Sequence, residues 1–210
     1  MPVNPHFLRA RTDDHLSEVL ELVEVHGVIS GGVAISGPWT TPREELEPAF
    51  KFMAVMQGGA RLTADGAETP IVLAPGDVAI LNNRSWMRLE SLTGEGQSRR
   101  VLREIDAQLL SVLASAPDAD DMMVGGHVDL NEAGVALLAP ALPPVAVIRA
   151  SEPASTGVRR VLERLLEELL ADRVGAAFAI RQYGQLLVLE LLRAYLHQTD
   201  LPPGWLRVST

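Results

Sequence analysis

Five histidines, His6, His15, His26, His127 and His197, are the side chains here best suited to bind a metal or move a proton near neutral pH. They are scattered, without H-x-H or H-E-x-x-H spacing, so local structure brings no two of them onto one ion. Cys is absent, which removes thiolate metal sites, disulfides and a Cys nucleophile together. There is no G-x-S-x-G elbow, no G-x-x-x-x-G-K-[ST] phosphate loop and no G-x-G-x-x-G fingerprint. Glu44-Glu45 and Glu167-Glu168 read as solvated faces. Asp77, in the turn Pro75-Gly76-Asp77, is placed to bond its own backbone and fix a hairpin. Gly31-Gly32 and Gly58-Gly59 read as bulge or turn positions that need a positive φ.

The elements that would position these residues fall into three regions. Residues 1–15 are polar and read as an arm, followed by a short amphipathic segment, 16–25, with Leu16, Val19, Leu20 and Val23 on one helical face. From Gly27 to about Leu130, short apolar runs are cut by turns at 36–38, 58–59, 64–66, 74–77 and 93–96. Turns spaced about ten residues apart between positions 50 and 92 predict an antiparallel sandwich or barrel. After Pro143-Pro144 the period becomes helical. Ser155 or Thr156 caps a helix bearing Val158, Val161, Leu162, Leu165, Leu166, Leu169 and Leu170, and Gly175 ends it. A second helix runs from about Ala176 to His197, apolar nearly all round from Leu186 to Leu192, so it must be covered on more than one side.

Composition narrows the function classes. With 47% hydrophobic residues the chain can order a core, and no apolar run reaches the roughly 18 residues of a membrane span. The N-terminus lacks an apolar signal core, so a cytoplasmic location and no membrane partner are expected. The net charge of -9 resides in residues 1–150, where 20 acidic residues meet 11 basic ones. A surface that displaces phosphate counterions is basic, so this chain alone is a poor DNA binder.

Several stretches together resemble the sensor half of AraC-type transcription regulators that carry a cupin domain. They are 16–20 with Gly27-Val28-Ile29-Ser30-Gly31-Gly32 and Gly37-Pro38-Trp39; Phe52-Met53-Ala54-Val55-Met56-Gln57-Gly58; Leu73-Ala74-Pro75-Gly76-Asp77-Val78; Gly125-Gly126-His127-Val128; Ala141-Leu142-Pro143-Pro144; and 191–196 with Gly204-Trp205-Leu206. The resemblance covers nearly the whole chain. It implies a mainly β (α+β) fold: a cupin-like antiparallel β-barrel or jelly roll over 1–150, a helical hairpin over 151–200 that serves dimerisation, and 201–210 as the start of a linker. The DNA-binding domain of the family, with its two helix-turn-helix units, would follow Trp205, so DNA is expected as a partner only through a part absent from this chain.

The resemblance also implies a ligand cavity in the barrel. Where relatives place metal-binding histidines this chain has Met53 and Met87, and where some place a Cys it has Gly125. Thioether sulfur is a poor ligand for zinc or iron(II), so no metal, no cofactor and no catalytic residue is expected. Alternation along the strand places Lys51 and Val55 on the face of Met53, and Met87 shares a face with Leu89. Trp86 falls on the other face unless the strand bulges. His127 lies on the strand that would close the barrel. Lys51, Met53, Val55, Trp86, Met87, Leu89 and His127 are thus the candidate ligand set, with plain core filling as the competing reading and Lys51 able to bind a carboxylate. Met and Trp suit a partly apolar effector.

The final helix offers a homodimer interface through Leu186, Leu189, Leu192 and Tyr195, unless it is buried within one chain. The function expected is small-molecule sensing and dimerisation. A stand-alone metal-dependent cupin enzyme, dioxygenase or isomerase, and a filled scaffold that only dimerises remain as alternatives.

Overall fold

A computed structural model describes residues 15–46, 50–93, 119–140, 142–171 and 173–198. The elements in chain order are α1 (His15–Glu21), β1 (Val25–Ile35), β2 (Glu44–Glu45), β3 (Phe50–Gln57), β4 (Ala60–Ala64), β5 (Ile71–Leu73), β6 (Val78–Asn82), β7 (Trp86–Glu90), β8 (Asp121–Leu130), α2 (Glu132–Leu138), β9 (Val145–Ile148), α3 (Ser155–Ala171) and α4 (Ala176–Gln198). Most of the arm expected at 1–15, residues 94–96 of the last turn, and the expected linker lie outside the described residues.

Strand β3 shows how the sequence builds two cores from one sheet. Successive side chains of a strand point to opposite faces. Phe50, Phe52 and Ala54 enter one apolar cluster with Val78, Ile80, Val128 and residues of α3 and α4. Met53 and Val55 enter a second with Leu62, Leu73, Leu81, Leu89 and Met123. A strand covered on both faces reads as a nearly unbroken apolar run, as Phe52-Met53-Ala54-Val55 does.

Among the described residues the strands form two antiparallel sheets, one ordered β1-β8-β3-β6-β9 and the other β2-β7-β4-β5. The second apolar cluster lies between them. No strand pair joins the sheets among the described residues, whose strands form a two-sheet antiparallel sandwich. The expectation of an antiparallel, mainly β fold with a helical hairpin holds.

Helices α3 and α4 cover the outer face of the larger sheet. Helix α3 buries Val158, Leu162 and Leu165 while Arg159, Arg160, Glu163 and Arg164 stay out. Helix α4 packs against both α3 and β1, which explains why it is apolar on two sides. Leu187, Val188, Leu191, Leu192 and Ala194 are all at most 1% exposed, and each large aliphatic side chain sealed this way contributes about 1.5–3 kcal/mol. Gly184 permits the approach, because a Cβ there would lie 2.7 Å from a methyl of Val28 and 2.8 Å from one of Val25. Gln185 fastens the seam: its Oε1 accepts the Val25 N–H at 3.2 Å and its Nε2 donates to the Val23 carbonyl.

Three local readings change. The register of β1 against β8 runs unbroken through Gly31 and Gly32, so neither is a bulge; the irregularity lies between Val25 and Gly27. Strand β9 comes between Pro144 and the helical region, because four apolar residues complete the edge beside β6. Helix α2 was not anticipated; the Asn131 side chain caps it by accepting from the Gly134 N–H at 2.8 Å. Among the described residues no helix is long and apolar enough to cross a membrane.

Candidate functional site

The inner face of the larger sheet is organised in cross-strand rows. Lys51 of β3 stands opposite His127 of β8 on one side and Leu81 of β6 on the other, and His127 in turn opposes Ile29 of β1. The next row toward Val55 contains Gly31, Gly125, Met53 and Ala79. Residues directly opposed in an antiparallel pair have Cβ atoms about 5 Å apart, so Lys51 and His127 form an adjacent polar pair. Both are half-buried.

Two glycines beside Met53 make this wall thin. A Cβ at Gly125 would lie 3.0 Å from the Phe52 carbonyl and 3.8 Å from the Met53 Cβ, so any side chain there would compete with Met53 for space. Gly31 and Gly125 keep partial exposure although their rows face the other sheet. Opposite them, Met87 and Leu89 point inward with Ala64 and Leu62, their register neighbours on β4. The result is an inner wall that carries thioethers, with a cation and an imidazole at one side. Its chemistry suits an anionic or hydrogen-bonding group on a partly apolar small molecule.

The expected ligand residues are therefore placed unequally. The register brings Lys51, Met53 and His127 together, and Met87 faces them from the other sheet. Val55 and Leu89 are sealed at 1% and 4% exposure in the core between the sheets. Trp86 lies apart. By alternation against Met87 and Leu89 it is on the outer face of β7, where the Arg43 guanidinium stacks 4.3 Å from its ring centroid. The Trp86 backbone N–H donates to Asp65 Oδ1 at 3.0 Å. Partial burial pushes the Asp65 carboxyl upward, but hydrogen bonds from Trp86 and Ser85, with Arg84 nearby, outweigh it and hold the group below its ordinary value.

Residue-by-residue reading missed the row of Gly31, Gly125 and Met53, because 94 positions separate Gly31 from Gly125 and 72 separate Gly125 from Met53, and only the β1–β8–β3 ladders align them. Among the described residues no three His, Asp or Glu side chains converge as a metal site.

A second polar cluster is structural. Asp77 is 4% exposed and accepts from the N–H of Ala74 at 3.0 Å, the N–H of Ala150 at 2.8 Å and Nη1 of Arg149 at 2.8 Å. Burial pushes its carboxyl upward, yet these donors together hold it below its ordinary range. The carboxylate so bonds its own turn, as its sequence context suggests, and also clamps the connection that leads from β9 into α3.

The fold has counterparts among known proteins. A family model described as Cupin matches residues 14–197. A protein of Streptomyces antibioticus named as an AraC-like transcription regulator is 27% identical over 199 residues, covering 92% of this chain and 63% of that protein. Another from Streptomyces lividans, of the same name, is 27% identical over 197 residues with the same coverage. The chain thus spans 63% of the length of these relatives. Apo ToxT from Vibrio cholerae superposes with a TM-score of 0.49 at 9% identity, covering 80% of this chain and 57% of that one. With a match that runs from α1 to the end of α4, across both sheets, the chain is a member of the cupin family.

Proposed function

We propose that this chain is the small-molecule-sensing and dimerising part of an AraC-type transcription regulator that works in the cytoplasm. The observation that carries this reading is the likeness to two AraC-like regulators over 92% of the chain. In this reading a recess opening at the inner wall supplies the sensing chemistry. Lys51 offers a cation, His127 a hydrogen-bonding imidazole beside it, Gly31 and Gly125 the room, and Met53 and Met87 the adaptable apolar walls. Effector binding in the recess favours one arrangement of the sandwich, and β1, which carries Gly31 on its inner row, is also the strand against which α4 packs.

In this reading the regulator is a homodimer, and duplex DNA is held by a helix-turn-helix part outside these 210 residues. Helix α4 leaves Phe178 and Leu186 exposed at 63% and 44%, with Leu189 half-buried on the same side. That exposed stripe is the self-complementary patch a two-fold dimer needs. Leu192 has no surface left for such a role, since it is 1% exposed in the chain's own core, and Tyr195 packs partly against that same core.

A fusion of residues 1–210 to a DNA-binding domain that functions only when paired tests the dimerising half of this reading. Repression well above that of the unfused domain is expected, and repression equal to it overturns the assignment. The sensing half is tested by thermal denaturation against a panel of small carboxylates and phenols. Some compound should raise the Tm of the wild type but not of Lys51→Ala or His127→Ala; stabilisation that survives both changes moves the site elsewhere.

A further inference from the structure

On the opposite side of the larger sheet from the recess, α3 does not close fully onto β3 and the turn before β6. A cleft of about 290 Å³ remains. Ala54, Val78, Leu162 and Leu166 form its apolar surface, and Arg159 and Glu163 stand at its rim. The helix residues at 159, 162, 163 and 166 recur at i, i+3, i+4 and i+7, so a single face of α3 looks into the cleft. At roughly 30 Å³ for each water-sized atom, the cleft has room for about ten non-hydrogen atoms.

Its two walls differ in what they can recognise. The sheet wall has its backbone groups engaged: the Gly76 N–H donates to the Val55 carbonyl at 2.7 Å, and the Val55 N–H to the Asp77 carbonyl at 3.0 Å. Gly76 holds a φ of +85°, and a Cβ there would lie 2.9 Å from that of Ala150, so this wall is pressed against the β9–α3 connection that Asp77 clamps. Polar recognition is left to α3. Arg159 and Glu163 are one helical turn apart, where Cβ atoms lie about 5–6 Å from each other, yet no ion pair joins them. With the cation N-terminal to the anion, they stand in the less favourable order for pairing within a helix. Arg159 makes no ion pair with any described residue.

We propose that this cleft is a second ligand site, distinct from the inner recess, and that it takes an apolar α-amino acid. A zwitterion presents one carboxylate for Arg159 and one ammonium for Glu163, while an aliphatic or small aromatic side chain enters against Ala54, Val78, Leu162 and Leu166. A simple fatty acid would satisfy Arg159 but set its carboxylate beside Glu163, and an amine would do the reverse. Opposite charges at one rim select a ligand that carries both. The bound molecule bridges α3 to the sheet at the place where the Asp77 clamp governs how the helix leaves β9. This assignment stands apart from the regulator reading, since it concerns binding alone.

Isothermal titration of residues 1–210 with L-leucine and L-phenylalanine, beside N-acetyl-leucine and leucinamide, tests it. Saturable binding of the free amino acids is expected, with both blocked derivatives weaker. Arg159→Gln and Glu163→Gln are changes at exposed positions of a helix and leave the fold intact. Each should weaken leucine by about threefold to fivefold, the scale of an exposed ion pair. Arg159→Gln should leave leucinamide unaffected, because that probe lacks the carboxylate. Leu166→Trp, which fills the cleft, should abolish binding while Lys51→Ala does not. No saturable binding up to about 10 mM, the weak end of specific affinity, overturns the proposal. So does binding that is indifferent to both rim variants and to the blocked groups, or binding lost with Lys51→Ala.

Discussion

The indole Nε1 of Trp39 donates to Oδ2 of Asp121 at 2.6 Å, and both residues are buried, at 2% and 7% exposure. The other carboxylate oxygen accepts the Gly59 N–H at 2.8 Å. One side chain at the start of β8 therefore ties the segment after β1 to the β3–β4 turn. Gly58 sits beside it with a φ of +70°, where a Cβ would collide with the Asp121 side chain. Removing the carboxylate strands two buried donors, and each costs about 1–3 kcal/mol. Asp121→Ala is expected to lower stability by about 2–4 kcal/mol, and Trp39→Phe by less. Urea denaturation of both variants measures this; a loss below 1 kcal/mol for Asp121→Ala would show that water replaces it as acceptor.

Asp77 gives the chain a defined acid sensitivity. Its folded-state carboxyl titrates below the ordinary value of 3.8, so the charged form is favoured by folding. The stabilisation is therefore fully present above the unfolded-state value and is lost as pH falls through the folded-state one. Asp77→Asn should cost about 1–3 kcal/mol at neutral pH, since an amide cannot accept from all three donors. The difference from wild type should stay flat above about pH 5 and shrink below 3.8. Unfolding free energies measured from pH 7 to pH 3 check it. A difference that grows on acidification would reverse the sign argued here.

Two leucines six residues apart on α4 should behave in opposite ways. Leu192 is sealed in the core, so Leu192→Glu buries an unpaired charge and is expected to cost about 3–5 kcal/mol or to prevent folding. Leu186 is 44% exposed, so Leu186→Glu should change stability by less than about 1 kcal/mol yet shift a dimer to monomer. Sedimentation velocity and far-UV circular dichroism separate the two effects. A wild-type monomer at tens of micromolar would remove the dimer from the proposal.

The charge distribution predicts no measurable affinity of residues 1–210 for duplex DNA at about 150 mM salt, where screening acts beyond roughly 8 Å. Fluorescence anisotropy with mixed-sequence duplexes tests this. Saturable binding with a steep salt slope would reveal a basic surface that the net charge of -9 conceals.

Much of the architecture is written locally. The alternation of Lys51, Met53 and Val55 with Phe52 and Ala54 follows from the period of a strand, and the stripe from Val158 to Leu165 from that of a helix. Turn chemistry at 74–77 and Gly175, with its φ of +86°, mark where elements end. The run from Leu186 to Leu192, apolar except for Glu190, states that α4 is covered on two sides, but not by what. Those features depend on neighbours within a few residues, so a single sequence displays them.

The site is decided elsewhere. That Lys51 meets His127 across 76 positions, or that Gly31 and Gly125 leave room beside Met53, is a matter of register between strands. Trp86 could be assigned to a cavity from its residue type alone; the pairing of β7 with β4 turns it outward under Arg43. Leu186 and Leu192 look alike in sequence, and only the packing of α4 against β1 and α3 buries one and exposes the other. Local periodicity fixes which side chains share a face. What covers that face is set by long-range pairing, in which a shift of one residue exchanges every inward side chain for an outward one.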